Sequence, residues 1–269
     1  MASLDTVFSG SIPQLYEAHL VPLIFEAYAQ DLARRARAAA PRRVLEVTAG
    51  TGVVTRALAA ALPAPATIVA TDLNAAMLDH AATLPIARGV EWRTANALEL
   101  PFADASFDTV VCQFGVMFFP DKARFFAEAR RVLAPGGRLL FNVWDRIEDN
   151  EFAHVTTEAL AERYPHDPPR FLARTPHGWH EQAAIVATLA HAGFTGPRLQ
   201  TVAERSVAPR AEGPAIGYCQ GTPLANEIIE REPDGLAAAT AQAAQAIAAR
   251  FGAGPVDAKM QAIVVEVER

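Results

Sequence analysis

The sequence predicts an α/β fold in which a doubly wound, mostly parallel sheet carries helices on both faces. Three observations predict it. Apolar runs of strand length alternate with stretches of helical spacing between Arg43 and Trp144, the connections between them are short, and the first strand runs into a glycine turn that opens a helix. Repeated strand–helix–strand units of this kind close into a parallel sheet covered on both faces. Ligands of such sheets sit at the carboxyl ends of the strands, near the point where strand order reverses.

Taken in order, the segment from Ser9 to Leu20 carries Tyr16 and His19 with little periodicity and reads as a loop or a single turn. From Pro22, suited to a first helical position, Ile24, Phe25, Tyr28 and Leu32 recur at helical spacing, and Arg34, Arg35 and Arg37 crowd the end where cations suit the helix dipole. In Arg43 to Gly52, Val44, Leu45 and Val47 form the apolar strand that Glu46 interrupts. Gly50 and Gly52 permit positive φ and close approach of the backbone to a ligand, and the N–H groups opening the next helix are free to meet it. Val53 to Leu62 then reads as helix, Thr67 to Asp72 as strand, Ala75 to Ala82 as helix, and Val90 to Ala95 and Phe107 to Gln113 as strands. In the helix predicted over Asp121 to Leu133, Phe125, Phe126, Ala129, Val132 and Leu133 share one face. Lys122, Arg124, Glu128, Arg130 and Arg131 lie largely away from it. Pro135-Gly136-Gly137 stops that helix before a strand over Arg138 to Trp144.

Beyond Trp144 the pattern changes. Asn150 to Arg163 is helical, Tyr164 to Trp179 is rich in proline and aromatics, and Gln182 to Ala192 is a helix ended by Gly193. The proline stretch is long enough to be a lid or binding loop. A strand near Leu199 to Ser206, a helical insertion over Ala211 to Glu232 and Leu236 to Phe251, and a last strand over Gln261 to Val267 complete the chain. The expected organisation is one domain over 1–269: an N-terminal helical segment (1–40), a core (41–145), and two insertions (146–180 and 207–258) that build a helical cap.

Composition narrows the function. With 269 residues, 51% hydrophobic, the chain can bury a large core. A net charge of −6 argues against a general nucleic-acid binder. No apolar stretch reaches membrane-spanning length, and the first residues lack a basic start and apolar core, so a cytoplasmic protein without membrane attachment is expected. Cys112 and Cys219 offer neither a disulfide framework nor metal-ligand spacing and read as packing residues. His177 and His180 flank Gly178-Trp179 after Pro176, outside any helix that would pair them as ligands, and no metal is expected.

Asp72 ends the second strand, roughly 20 residues after the glycine turn, where nucleotide-binding α/β domains place a carboxylate that accepts from ribose hydroxyls. Capping the following helix is the simpler role, although Asn74 would do that well. If the ribose role holds, loss of Asp72 should weaken ligand binding with little effect on the fold.

Four ordered stretches carry a family resemblance: VLEVTAGTG, ATDLNAAML, TANALELPFADASFDTVVCQFGVMFFPD and RVLAPGGRLLFNVW. Together, over roughly Val44 to Trp144, they resemble the class I S-adenosylmethionine-dependent methyltransferases, nearest to the ubiquinone and menaquinone C-methyltransferases and their small-molecule relatives. The resemblance implies a Rossmann-like, seven-stranded sheet whose last strand is antiparallel, and S-adenosylmethionine as cofactor. It implies that Glu46, Thr48, Ala49 and Gly50, with Gly52, surround the methionine part and that Glu46 answers its ammonium group. Asp72 would hold the ribose, Leu73 and Met77 would flank the adenine, and Asn96, Ala97 and Leu98 would meet its edge. Gln113 would face the methionine end, with Tyr16 approaching from the N-terminal segment. Phe114, Trp144 and Trp179 would meet a small-molecule acceptor, flat or aromatic. Two departures stand out: Thr48 occupies a place the family usually gives to glycine, and Asn96 one it usually gives to aspartate, so that any bond to the adenine amino group lacks charge.

An NAD(P)-dependent oxidoreductase on the same scaffold would need a third glycine for its pyrophosphate, where Val53-Val54-Thr55 follow Gly52 instead, and none of the four tyrosines has a lysine four residues on. A non-catalytic module that keeps the pocket is the other alternative. No nucleophile motif is visible, and catalytic residues and oligomeric state stay open. Methyl transfer asks mainly that an acceptor atom be held in line behind an already electrophilic methyl.

Overall fold

The computed structural model describes residues 12–269. Along the chain, the elements are α1 (Ile12–Leu15), a segment of wide π-type turns (Tyr16–Phe25), α2 (Glu26–Ala38), β1 (Arg43–Val47), α3 (Val53–Ala61), β2 (Thr67–Asp72), α4 (Ala75–Thr83), β3 (Glu91–Thr94), β4 (Phe107–Gln113), α5 (Lys122–Val132) and β5 (Leu133–Trp144). There follow α6 (Glu151–Arg163), α7 (Phe171–Arg174), α8 (Gln182–His191), β6 (Arg198–Ala208), α9 (Glu212–Gln220), α10 (Leu224–Arg231), α11 (Leu236–Phe251) and β7 (Val256–Glu268). The sheet has seven strands in the order β3-β2-β1-β4-β5-β7-β6. It is mostly parallel with β7 antiparallel, as the motifs implied. β1 pairs with β2 on one side and β4 on the other, so strand order reverses at β1, directly below the glycine turn.

Three local readings change. The segment before Leu20 is helical from Ile12 onward, while Ser9–Ser11 lie outside the described residues. Pro22 does not start a helix but lies inside the Tyr16–Phe25 segment. A proline removes one N–H and crowds the carbonyl four residues back, and a wide turn is one way a helix takes this up without breaking. The third change concerns Pro135-Gly136-Gly137. Helix α5 ends at Val132, and the whole span Leu133–Trp144 then runs beside β4: Phe107 pairs with Leu133, and Thr109 with Arg138. Between those pairs the chain bulges, with Gly136 at φ 75°.

The described residues form two compact units. One comprises 26–143, 179–202 and 262–269. Its main core packs α2 and α3 on the sheet through Leu32, Val44, Leu58, Ile68, Val111, Leu140 and Val264. The other comprises 12–25, Trp144–Gly178 and Ala203–Gln261 and is largely helical. Within it Phe152 meets Phe251 edge-on at 5.1 Å, between α6 and α11. Its proline-rich stretch is pinned to α10: Glu227 accepts from the N–H groups of Arg170 and Phe171, and Arg231 donates to the Asp167 carbonyl.

Candidate functional site

β1 delivers Glu46 to the interior and then turns sharply. Thr48 has φ 59°, Gly50 55° and Gly52 82°, so three of five consecutive residues occupy the left-handed region. The turn is held from both sides: Ala49 N–H donates to Thr71 O over 2.9 Å, and Gly52 N–H to Ala49 O over 2.8 Å. The aromatic edge of Trp92, on β3, lies so close that a Cβ on Gly52 would stand 2.9 Å from its Cη2. Glycine here is required by both dihedral and space.

Asp72 is nearly buried at the tip of β2, and Gly50 N–H donates to its Oδ2 over 2.9 Å. Its Oδ1 accepts from Asn74 N–H at 2.8 Å and, weakly, from the Asn74 side-chain amide at 3.5 Å. The acid therefore tethers the turn and the start of α4, a share of the capping role. An incoming pair of hydroxyls would use the second lone pair of Oδ2 and displace the weak amide contact. Burial raises the Asp72 pKa, and the backbone donors from Asn74 and Gly50 oppose that shift.

Glu46 is 1% exposed, and its Oε2 has no hydrogen-bond partner among the described residues. Burial pushes its carboxyl up to about 8, and the Asp72 charge adds to the rise. A buried carboxylate oxygen without a donor is costly, and a cationic group arriving beside it would relieve that cost.

The remaining candidates divide by location. Met77 is buried on α4, and its Cε would lie 3.6 Å from a Cβ on Gly50. Leu73 is 59% exposed despite being apolar, as suits a residue covering a flat ligand face. After β3, Ala95 N–H donates to Asp72 O, which brings Asn96, Ala97 and Leu98 alongside the same strand tip. Asn96 Oδ1 already accepts from Leu98 N–H at 3.0 Å and so shapes its own loop. Gln113 is buried at the end of β4, opposite Asn142, and Phe114 follows with φ 50° and meets Tyr28 edge-on at 5.3 Å. Trp179 belongs to this unit too, near Phe126, with Lys122 Nζ 5.5 Å from its ring centre.

Tyr16 and Trp144 belong to the other unit. Tyr16 stacks on Phe25 at 4.9 Å, Phe25 lies 6.0 Å from Trp144, and Trp144 lies 6.0 Å from the buried His177. His177 Nδ1 stands 2.8 Å from Asp145 O, whereas His180 Nε2 stands 3.3 Å from Glu181.

Two groups escaped sequence reasoning. Trp92 was hidden in a four-residue edge strand. Glu128 and Arg131, read only as lying largely away from the apolar face of their helix, grip the loop after Asn96; their spacing on one helical stripe with Arg124 was the available signal.

Residues 45–141 match the methyltransferase domain family. A demethylmenaquinone methyltransferase of Mycolicibacterium paratuberculosis is 33% identical over 179 residues, covering 63% of this chain and 75% of that protein. One from Deinococcus radiodurans is 43% identical over 110 residues, 40% of this chain; the match spans less than half, 45%, of that relative's length. Among solved structures, phosphoethanolamine N-methyltransferase 2 of Haemonchus contortus, in complex with S-adenosyl-L-methionine, aligns over 96% of this chain and 56% of its own, with TM-score 0.56 and 17% identity. At that identity the likeness shows the fold alone.

Proposed function

The chain belongs to the S-adenosylmethionine-dependent methyltransferase family, and from that membership we propose that it transfers a methyl group from S-adenosylmethionine to a small-molecule acceptor in the cytoplasm. The observation that carries the reading is the junction of β1 and β2, where Gly50 is clasped to Asp72 beside a buried Glu46 with one oxygen unpartnered among the described residues. That donor set fits the cofactor: an anionic partner for an ammonium group, an acceptor pair for ribose hydroxyls, and a left-handed backbone with no Cβ in the way.

When bound, S-adenosylmethionine supplies an electrophilic methyl group, so the chain need supply no nucleophile. Glu46 neutralises the amino group at the methionine end, and Gln113 at the tip of β4 orients the same end. Asp72 holds the ribose, Leu73 and Met77 cover the adenine faces, and Asn96 with Ala97 and Leu98 meets its edge. Tyr16 completes the cofactor set. Phe114, Trp144 and Trp179 are assigned to the acceptor, whose flat or aromatic character suits their rings. Orientation of the acceptor atom is the main source of rate.

No described helix is long and apolar enough to cross a membrane. The decisive experiment is calorimetry with S-adenosylhomocysteine, NAD and NADP. Binding of the first alone is expected. Dinucleotide binding without S-adenosylhomocysteine binding would favour the oxidoreductase alternative. Screening small molecules for conversion of the cofactor to S-adenosylhomocysteine then identifies the acceptor, and Trp144→Ala and Trp179→Ala should each reduce turnover while S-adenosylhomocysteine affinity holds.

A further inference from the structure

Arg124, Glu128 and Arg131 lie four and three residues apart on α5, so they form one stripe along the helix. The stripe bonds to successive backbone groups of one loop. Arg124 Nε donates to Leu98 O at 3.0 Å, and Leu100 N–H donates to Glu128 Oε2 at 2.8 Å. Arg131 donates to Leu100 O at 2.9 Å, to Phe102 O at 2.8 Å and to Asp104 at 2.7 Å. The same guanidinium holds Glu128 through both carboxylate oxygens, each at 2.9 Å. The bond from Arg131 also holds the Glu128 carboxyl below its ordinary range.

Leu100 is buried, so its N–H and C=O need partners within the protein, and Glu128 and Arg131 supply both, while Arg124 and Arg131 add bonds to the half-buried Leu98 and Phe102. The splinted loop begins at Asn96, which is exposed, and it leaves the sheet beside Asp72. A ribose held by Asp72 would present its base to the segment Asn96–Leu98. Telling one base from another through backbone and amide groups requires that these groups stay at fixed depth, because a misplaced acceptor can be re-solvated or rotated to accommodate the wrong donor pattern.

We infer that Arg124, Glu128 and Arg131 are positioning residues for nucleobase recognition, which splint the Asn96–Leu98 segment so that it selects adenine over a base bearing a carbonyl in place of the amino group. The inference rests on the methyltransferase reading. It is tested by measuring the affinities of S-adenosylhomocysteine and S-inosylhomocysteine for the unsubstituted protein, Arg124→Ala, Glu128→Ala and Glu128→Gln, with Arg138→Ala as a control. Arg138 pairs instead with Glu266, on β7.

The unsubstituted protein and the control should prefer the adenosyl ligand equally. Arg124→Ala and Glu128→Ala should lower that preference about fivefold to tenfold, the worth of roughly one well-placed hydrogen bond. Glu128→Gln keeps an acceptor for Leu100 and should restore most of the preference. Without ligand, amide exchange at Leu100 should accelerate in Glu128→Ala. Arg124 is half exposed, so Arg124→Ala carries the test if Glu128→Ala does not fold. An unchanged preference in folded Arg124→Ala, or no preference in the unsubstituted protein, overturns the inference alone. Binding of neither ligand by the unsubstituted protein overturns the methyltransferase reading, and this inference with it.

Discussion

Gly50 donates its backbone N–H to the Asp72 carboxylate over 2.9 Å, tying the turn after β1 to the tip of β2. One acid thus serves the architecture of the site and the binding proposed for it, and substitutions there should be read on both scales.

For Asp72→Ala, the expected loss of cofactor affinity is about 1.5 to 3 kcal/mol, that of hydrogen bonds to a charged group. The sequence alone suggested little effect on the fold. The two backbone donors left without their acceptor instead imply a loss of about 1 to 3 kcal/mol of stability. Urea unfolding beside S-adenosylhomocysteine titration separates the two, and unchanged affinity with reduced stability would leave Asp72 a tether only.

Glu46 should make the ligand-free protein pH-dependent. Its carboxyl titrates near 8 when folded against an ordinary 4.5, because burial disfavours the charge. Between those values the folded chain keeps a proton that the unfolded chain releases, so the contribution of Glu46 to stability is fully present below about 4.5 and is lost as pH rises through 8, by on the order of a few kcal/mol. Glu46→Gln should flatten that slope in denaturation series at pH 5.5 and 8. Ammonium binding beside the carboxylate should also release a proton at pH 7, seen as buffer-dependent binding heats that Glu46→Gln abolishes.

Thr48 and Gly115 are expected to be energetically coupled. Thr48 holds a left-handed backbone that its branched side chain resists, donates from Oγ1 to Val47 O at 2.5 Å, and lies 3.3 Å from Cys112 Sγ. A Cβ on Gly115 would overlap that hydroxyl and stand 2.7 Å from Thr48 Cγ2. Gly115→Ala should therefore cost about 1 to 3 kcal/mol alone and at least ~1 kcal/mol less in a Thr48→Gly background. Equal costs in both backgrounds, measured by chemical denaturation, would show that the pair does not interact.

Gly52→Ala combines a left-handed dihedral with a clash against Trp92 and should cost about 1 to 3 kcal/mol. A melting temperature within a degree of the unsubstituted protein would contradict that geometry.

Most of the fold was legible because each signal was local. The strands Thr67–Asp72 and Phe107–Gln113 and the helix Leu236–Phe251 are bounded by their own apolar periodicity and turn residues, and they stand in the structure at the predicted limits. The glycine turn and Asp72 were equally readable, since positive φ and an acid at a strand tip leave marks in the residue type itself. What only the tertiary structure decided depends on partners distant in sequence. Pro22 sits within a helix because neighbouring wide turns absorb its missing donor, and the span after Leu133 pairs with β4 around a bulge rather than merely ending a helix. Glu128 and Arg131 read only as charges lying away from the apolar face until the loop from Leu98 to Asp104 is brought against them. Periodicity records which face of a helix is apolar, whereas the use made of its polar face depends on which backbone groups the fold carries there.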